Sequence, residues 1–149
     1  MEQIINEYKP YISDEGFQHL KEFIDSMSNN LTFRKEHKSI LCFRGPGNNG
    51  KTTLLRRIVG FLGNKAFNIS NFDFNQNVSG IKLYFCDDFD FVSEKHSAIV
   101  KLFSRNIDED ATSIDNFRNF VCVINTTDNI DPSLLNRFVF VDFLHTFTK

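Results

Sequence analysis

The chain has 149 residues, a formal charge of −2, 41% hydrophobic and 24% charged residues. This suits one folded domain and excludes wholesale disorder. No apolar run approaches the roughly 18 residues of a membrane span, and a pI near 6.1 leaves no overall basic field, so a nucleic-acid contact has to come from a local patch. Phenylalanine is the anomaly, at 18 residues.

The N-terminal stretch MEQIINEYKP has early acids and no long apolar segment, so it does not read as a signal peptide. After Pro10, Ser13 is placed to cap a helix, and Phe17, Leu20, Ile24 and Met27 recur at helical spacing until Asn29-Asn30. The spacing predicts an amphipathic helix of about 14 residues, its apolar face serving either the core or a subunit contact. Residues 1–35 are therefore expected to form a helical lead, and 36–149 the main domain.

From Lys38 onward, short apolar runs alternate with polar or helical stretches. The runs are Ile40–Phe43, Ala66–Ile69, Ile81–Cys86, Phe120–Ile124 and Phe138–Phe143. Lys51–Leu62 and Ser93–Phe103 carry helical periodicity between them. Near-continuous apolar strands suit burial on both faces, and their alternation with helices predicts an α/β domain built on a mainly parallel sheet. Cys42, Cys86 and Cys122 sit inside the apolar runs without metal-ligand spacing, which reads as buried, inert thiols in a reducing, intracellular setting. Phe43, Phe61, Phe67, Phe85, Phe103, Phe120, Phe138, Phe140 and Phe143 read as core packing; Phe72, Phe74, Phe89 and Phe91 have no assignment.

The strongest motif is Gly45-Pro46-Gly47-Asn48-Asn49-Gly50-Lys51-Thr52, which fits G-x-x-x-x-G-K-[ST] at every fixed position. It follows an apolar strand and opens a helix, the order a phosphate loop requires. Glycines let backbone N–H groups turn toward phosphate oxygens, and the helix N-terminus favours an anion. Lys51 then supplies charge to the β- and γ-phosphates of ATP, and Thr52 a hydroxyl to Mg²⁺; Thr53 completes the nucleotide-binding stretch.

Downstream, the run Leu83-Tyr84-Phe85-Cys86 ends in Asp87-Asp88. Acids at the end of an apolar strand suit a Walker B role, Asp87 holding Mg²⁺ and Asp88 orienting or deprotonating the attacking water. The run Phe120–Ile124 ends in Asn125, where a polar side chain can bond the γ-phosphate or that water. Arg137 stands just before the last apolar run, and its type and position alone fit a buried anchor, a surface charge or an arginine finger. GTP specificity is not supported: no glycine completes D-x-x-G after Asp87, and Thr126 stands where N-K-x-D needs lysine.

Together, these elements resemble the superfamily 3 helicases of viruses and mobile elements, above all poxvirus-type and phage-type primase-helicases. The resemblance rests on the phosphate loop with Thr53-Leu54-Leu55, on Asp87-Asp88, on Lys101-Leu102-Phe103, on Asn125, and on Leu134-Leu135-Asn136-Arg137-Phe138 with Phe143. It covers roughly residues 36–145. It implies a P-loop NTPase core of AAA+ type with a five-stranded parallel sheet in the order 5-1-4-3-2 between helices. It also implies ring-shaped homo-oligomers, often hexamers, with ATP at subunit interfaces, Arg137 as a finger acting across them, and residues 1–35 as part of a collar. Two departures stand out. Arg105–Arg118, where that family has a basic loop, carries Asp108, Glu109, Asp110 and Asp115, and Ser104 replaces a usual glycine.

The expected function is Mg²⁺-dependent ATP hydrolysis driving unwinding of, or translocation on, single-stranded nucleic acid in genome replication, with replication proteins as further partners. The alternative is a non-motor AAA+-type ATPase that remodels or recruits proteins; a small P-loop kinase fits less well, since no Arg-rich lid segment is evident.

Overall fold

A computed structural model describes residues 1–29, 31, 33–35, 38–45, 50–68, 81–87, 119–125 and 137–144. The elements are α1 (Glu2–Asn6), a 3₁₀ turn (Lys9–Tyr11), α2 (Asp14–Ser28), β1 (Ile40–Gly45), α3 (Lys51–Leu62), a 3₁₀ turn (Gly63–Lys65), β2 (Ala66–Asn68), β3 (Leu83–Cys86), β4 (Phe120–Asn125) and β5 (Phe138–Asp142). The five strands form one parallel sheet in the order β2-β3-β4-β1-β5, the expected order read from the other edge.

Period-two alternation divides the strands between two cores. Leu41 and Phe43 of β1, Val121 and Val123 of β4, and Val139 and Val141 of β5 face one side; Ile40, Cys42, Phe120, Cys122 and Phe138 face the other. The first side is continuous with Phe17, Leu20, Ile24 and Met27 of α2 and Leu54, Leu55 and Ile58 of α3. The apolar stripe expected of α2 is thus buried against the sheet of its own chain, and Ile5 and Tyr8 join the same core. All three cysteines are buried and none is in a disulfide; they are aligned across β3, β4 and β1 by the pairings Cys86↔Cys122 and Cys42↔Cys122.

The start of α2 is held tightly to the edge strand. Ser13 Oγ accepts the Gly16 N–H at 3.0 Å, and Ser13 N–H donates to Asp142 O at 3.0 Å. A Cβ at position 16 would lie 3.1 Å from both Asp142 N and Val141 Cα, so glycine is what permits this approach. Leu144 N–H donates to Tyr11 O, and Ile12 bridges Phe143 antiparallel, so the lead segment covers part of the outer edge of β5. A second tie is Asn119, just before β4: its Oδ1 accepts Phe33 N–H at 2.6 Å and its Nδ2 donates to Leu31 O at 3.0 Å.

Three details depart from the sequence reading. α1 is a short helix that the periodicity does not announce, because five residues are too few to show a face. Strand β3 begins at Leu83 rather than Ile81, and Lys82 N–H donates to Lys65 O at 2.7 Å, just before β2. Phe61 is 61% exposed, a correction to its reading as core: it shares the helical stripe of Leu54 and Ile58 but stands in the last turn of α3, beyond Ile58, the last buried residue of the helix. The expected helix Ser93–Phe103 and the residues Phe72, Phe74, Phe89, Phe91 and Phe103 lie outside the described residues.

Candidate nucleotide-binding site

The C-terminal ends of parallel strands face one edge of the sheet, where ligands of open α/β folds bind. At that edge β1 ends at Gly45, and the register sets Asn125 of β4 directly beside it. Cys86 pairs with Cys122, which puts Asp87 at the same end of β3. The sheet order therefore brings three of the expected positions, far apart in sequence, to one edge, Asp87 standing two residues short of the level of Gly45 and Asn125. Pro46, Gly47, Asn48, Asn49 and Asp88 lie outside the described residues, and of Asn125 only the backbone is described.

After the loop, Gly50 adopts φ +93°, ψ 1°, left-handed backbone that side chains disfavour, and its carbonyl accepts the Leu54 N–H at 2.9 Å as α3 begins. Lys51 follows at the first helical position. It is 5% exposed, and its Nζ donates to Gly45 O at 2.7 Å, so the ammonium links the start of α3 to the end of β1. A buried cation is costly unless negative or carbonyl oxygen surrounds it, and this placement suits one that meets phosphate. Thr52 is half-buried, and its hydroxyl donates to Asp87 Oδ1 at 3.1 Å, joining α3 to the end of β3. Thr53 is exposed.

A hydroxyl and a carboxylate oxygen at hydrogen-bond distance are hard oxygen donors of the kind Mg²⁺ takes, usually one or two protein oxygens with phosphates and waters completing the shell. With the left-handed glycine and the ammonium alongside, the residues present fit a Mg²⁺-bound nucleoside triphosphate.

Arg137 stands elsewhere. Ile40 pairs with Phe138, so Arg137 is level with Ser39, at the opposite end of β1 from Gly45. Six residues of strand separate the two levels, about 20 Å at 3.3 Å per residue. Within one chain, the half-buried Arg137 is not part of the phosphate-binding edge.

Sequence reasoning passed over Arg44. Its guanidinium grips Asp142 through two hydrogen bonds, Nε to Oδ1 at 2.7 Å and Nη2 to Oδ2 at 3.2 Å, and lies 3.8 Å above the ring of Phe140. The pair ties β1 to β5 immediately before the phosphate loop. The available signal was one arginine and one aspartate, each ending an otherwise apolar strand.

No protein-family model and no curated protein matches the sequence. Solved structures do match. The apo A-form C-terminal region of NrS-1 superposes with a TM-score of 0.62 at 13% identity, over 97% of this chain and 37% of that one. The JCV helicase superposes with a TM-score of 0.60 at 15% identity, over 95% of this chain and 43% of that one. The chain thus spans less than half the length of these structures, and at such identity the likeness is one of fold: the fold is helicase-like.

Proposed function

We propose that the chain is a Mg²⁺-dependent ATPase core of a helicase-type motor. The observation that carries this reading is the meeting of Thr52 and Asp87 at 3.1 Å beside the buried Lys51, at the sheet edge where α/β ligands bind. Gly45, Gly50 and the loop between them would cradle the phosphates with backbone N–H groups. Lys51 would neutralise the β- and γ-phosphates, while Thr52 and Asp87 would hold Mg²⁺. When bound, the ion supplies positive charge against the developing negative charge of phosphoryl transfer. Asp88 is assigned to orient or deprotonate the attacking water, and Asn125, level with Gly45, to bond it or the γ-phosphate.

Arg137 sits about 20 Å of strand away from its own phosphate loop, so its catalytic role requires a neighbouring subunit. The reading therefore includes a homo-oligomer, a ring and in particular a hexamer, with residues 1–35 contributing to a collar through surface left free by α2. Single-stranded nucleic acid and replication proteins are its partners in this reading. Asp108, Glu109, Asp110 and Asp115 favour the alternative of protein remodelling, since acids repel a phosphate backbone.

The test is ATP hydrolysis with Mg²⁺, measured with and without single-stranded DNA or RNA and alongside assembled mass. Wild type is expected to turn over ATP and Lys51→Ala to lose that activity; undiminished turnover in Lys51→Ala overturns the assignment. Stimulation by a strand supports the motor reading, and indifference supports remodelling. Arg137→Ala is expected to bind ATP and turn over slowly, with activity partly restored by mixing in Lys51→Ala subunits. Normal assembly of both variants without rescue removes the finger role.

A further inference from the structure

Arg44 immediately precedes Gly45, the first residue of the phosphate loop, and β5 holds it by both side chain and backbone. Its guanidinium donates twice to Asp142, at 2.7 and 3.2 Å, and its carbonyl accepts the Phe143 N–H at 2.8 Å. The guanidinium also lies 3.8 Å above the Phe140 ring. The β1–β5 pairing ends at Arg44↔Asp142, whereas on its other side β1 is still paired at Gly45, with Asn125. On the β5 side, then, this clasp is the last fixed point of the sheet before the loop departs.

Asp142 is itself braced from outside. Its carbonyl accepts the Ser13 N–H at 3.0 Å, and Gly16 packs so close that a Cβ there would lie 3.1 Å from Asp142 N. Support therefore runs from the lead segment through Asp142 to Arg44, and along the chain to Gly45. Gly45 has a second hold, since its carbonyl accepts Lys51 Nζ at 2.7 Å. By period-two alternation Arg44 and Asp142 share the face of Cys42 and Phe140, opposite the face on which α3 packs, so the start of the loop is gripped from both sides of the sheet.

The Arg44 and Asp142 side chains are 31% and 37% exposed. Ion pairs this open to water add little to global stability. A planar fork on a carboxylate, stacked on a ring, instead fixes direction. The charge of Arg44 is already matched by Asp142, which leaves Lys51 to meet phosphate. We propose, resting on the nucleotide-binding reading of that edge, that Arg44 and Asp142 are positioning residues for phosphoryl transfer: their clasp sets where the phosphate loop starts, and through Gly45 where Lys51 and the phosphates stand relative to Thr52 and Asp87. A misplacement of about 1 Å at reacting groups costs up to about a hundredfold in rate, so loosening the clasp is felt in turnover before it is felt in folding.

The test is steady-state ATP hydrolysis with Mg²⁺ by the full chain, in wild type, Arg44→Gln, Asp142→Asn and the double variant, with the thermal midpoint and assembled mass of each. Both single variants are expected to lose at least about tenfold in kcat and to keep thermal midpoints close to that of wild type. Because the two residues act as a unit, the double variant is expected to lose no more than the worse single one. Asp142→Asn leaves the Arg44 charge uncompensated beside the loop, so an arginine acting directly on phosphate would show a lowered KM, and that result overturns the proposal. Wild-type kcat in either single variant overturns it, as do additive losses in the double. Asn119→Ala, before the far end of β4, controls for lost stability alone: a kcat loss in Arg44→Gln no larger than in Asn119→Ala assigns a merely structural role and overturns it too. Activity lost in Lys51→Ala but kept in Arg44→Gln refutes the positioning role and leaves the nucleotide-binding reading standing, whereas a wild type that neither binds nor hydrolyses ATP refutes both.

Discussion

Replacing Asn119 by alanine tests how the lead segment is tied to the sheet. Asn119 is fully buried and makes two bonds across long sequence separations, accepting from Phe33 N–H at 2.6 Å and donating to Leu31 O at 3.0 Å. Alanine removes both partners. The buried Phe33 N–H then loses its acceptor, at about 1–3 kcal/mol, and the part-buried Leu31 carbonyl adds a smaller amount. Some of the space vacated stays empty, which adds a cavity term. The sum is about 2–4 kcal/mol. For a domain of this size, each kcal/mol moves Tm by about 2–4 °C, so a fall of roughly 4–16 °C is expected. Differential scanning calorimetry measures the fall, and hydrogen exchange at the Phe33 amide localises it. A Tm within 1 °C of wild type, with Phe33 still protected, would refute the clamp.

Other positions give sharper yes-or-no outcomes. Gly16→Ala is expected to cost about 1–3 kcal/mol, because the new methyl meets the backbone of β5 at 3.1 Å and Ser13 Oγ at 2.8 Å; a urea midpoint equal to wild type would count against that contact. Burial, and next the Cys42 thiol beside it, holds the Cys122 thiol well above its usual range, so native protein should resist iodoacetamide at pH 8 and react only on unfolding. The folded chain keeps this proton after the unfolded chain has lost it. That contribution to stability is therefore full below about pH 8.5, the ordinary thiol value, and falls as pH rises beyond it. Denaturant midpoints measured from pH 7 to 10 should decline; a flat profile, or labelling of native protein, would oppose the buried placement.

Much of the candidate site was legible because its signals are local. Gly50, Lys51 and Thr52 are consecutive, and the strand before them and the helix after them are each written within about a dozen residues. Ser13 as a helix cap and the α2 stripe follow from the same short-range rules, and both appear as expected. Phe61 shows the limit of such reading, since a shared helical stripe does not say how far along the helix the core extends. Arg44 shows another: a lone arginine at a strand end has no partner until β5 lies beside β1.

By itself, then, the sequence determined the α/β class, the phosphate-loop motif and the helix that follows it, since each depends on residues near one another along the chain. The parallel order with β1 between β4 and β5 was implied by resemblance to a family, not by any periodicity. Only the tertiary structure decided that Thr52 meets Asp87 across 35 residues and that Asn119 holds a segment 86 residues away. It also decided that Arg137 stands at the far end of the sheet from its own phosphate loop. The physical reason is that propensity and period act through neighbouring residues, whereas these placements depend on strand order and register, which form only when separate elements bury their apolar faces together.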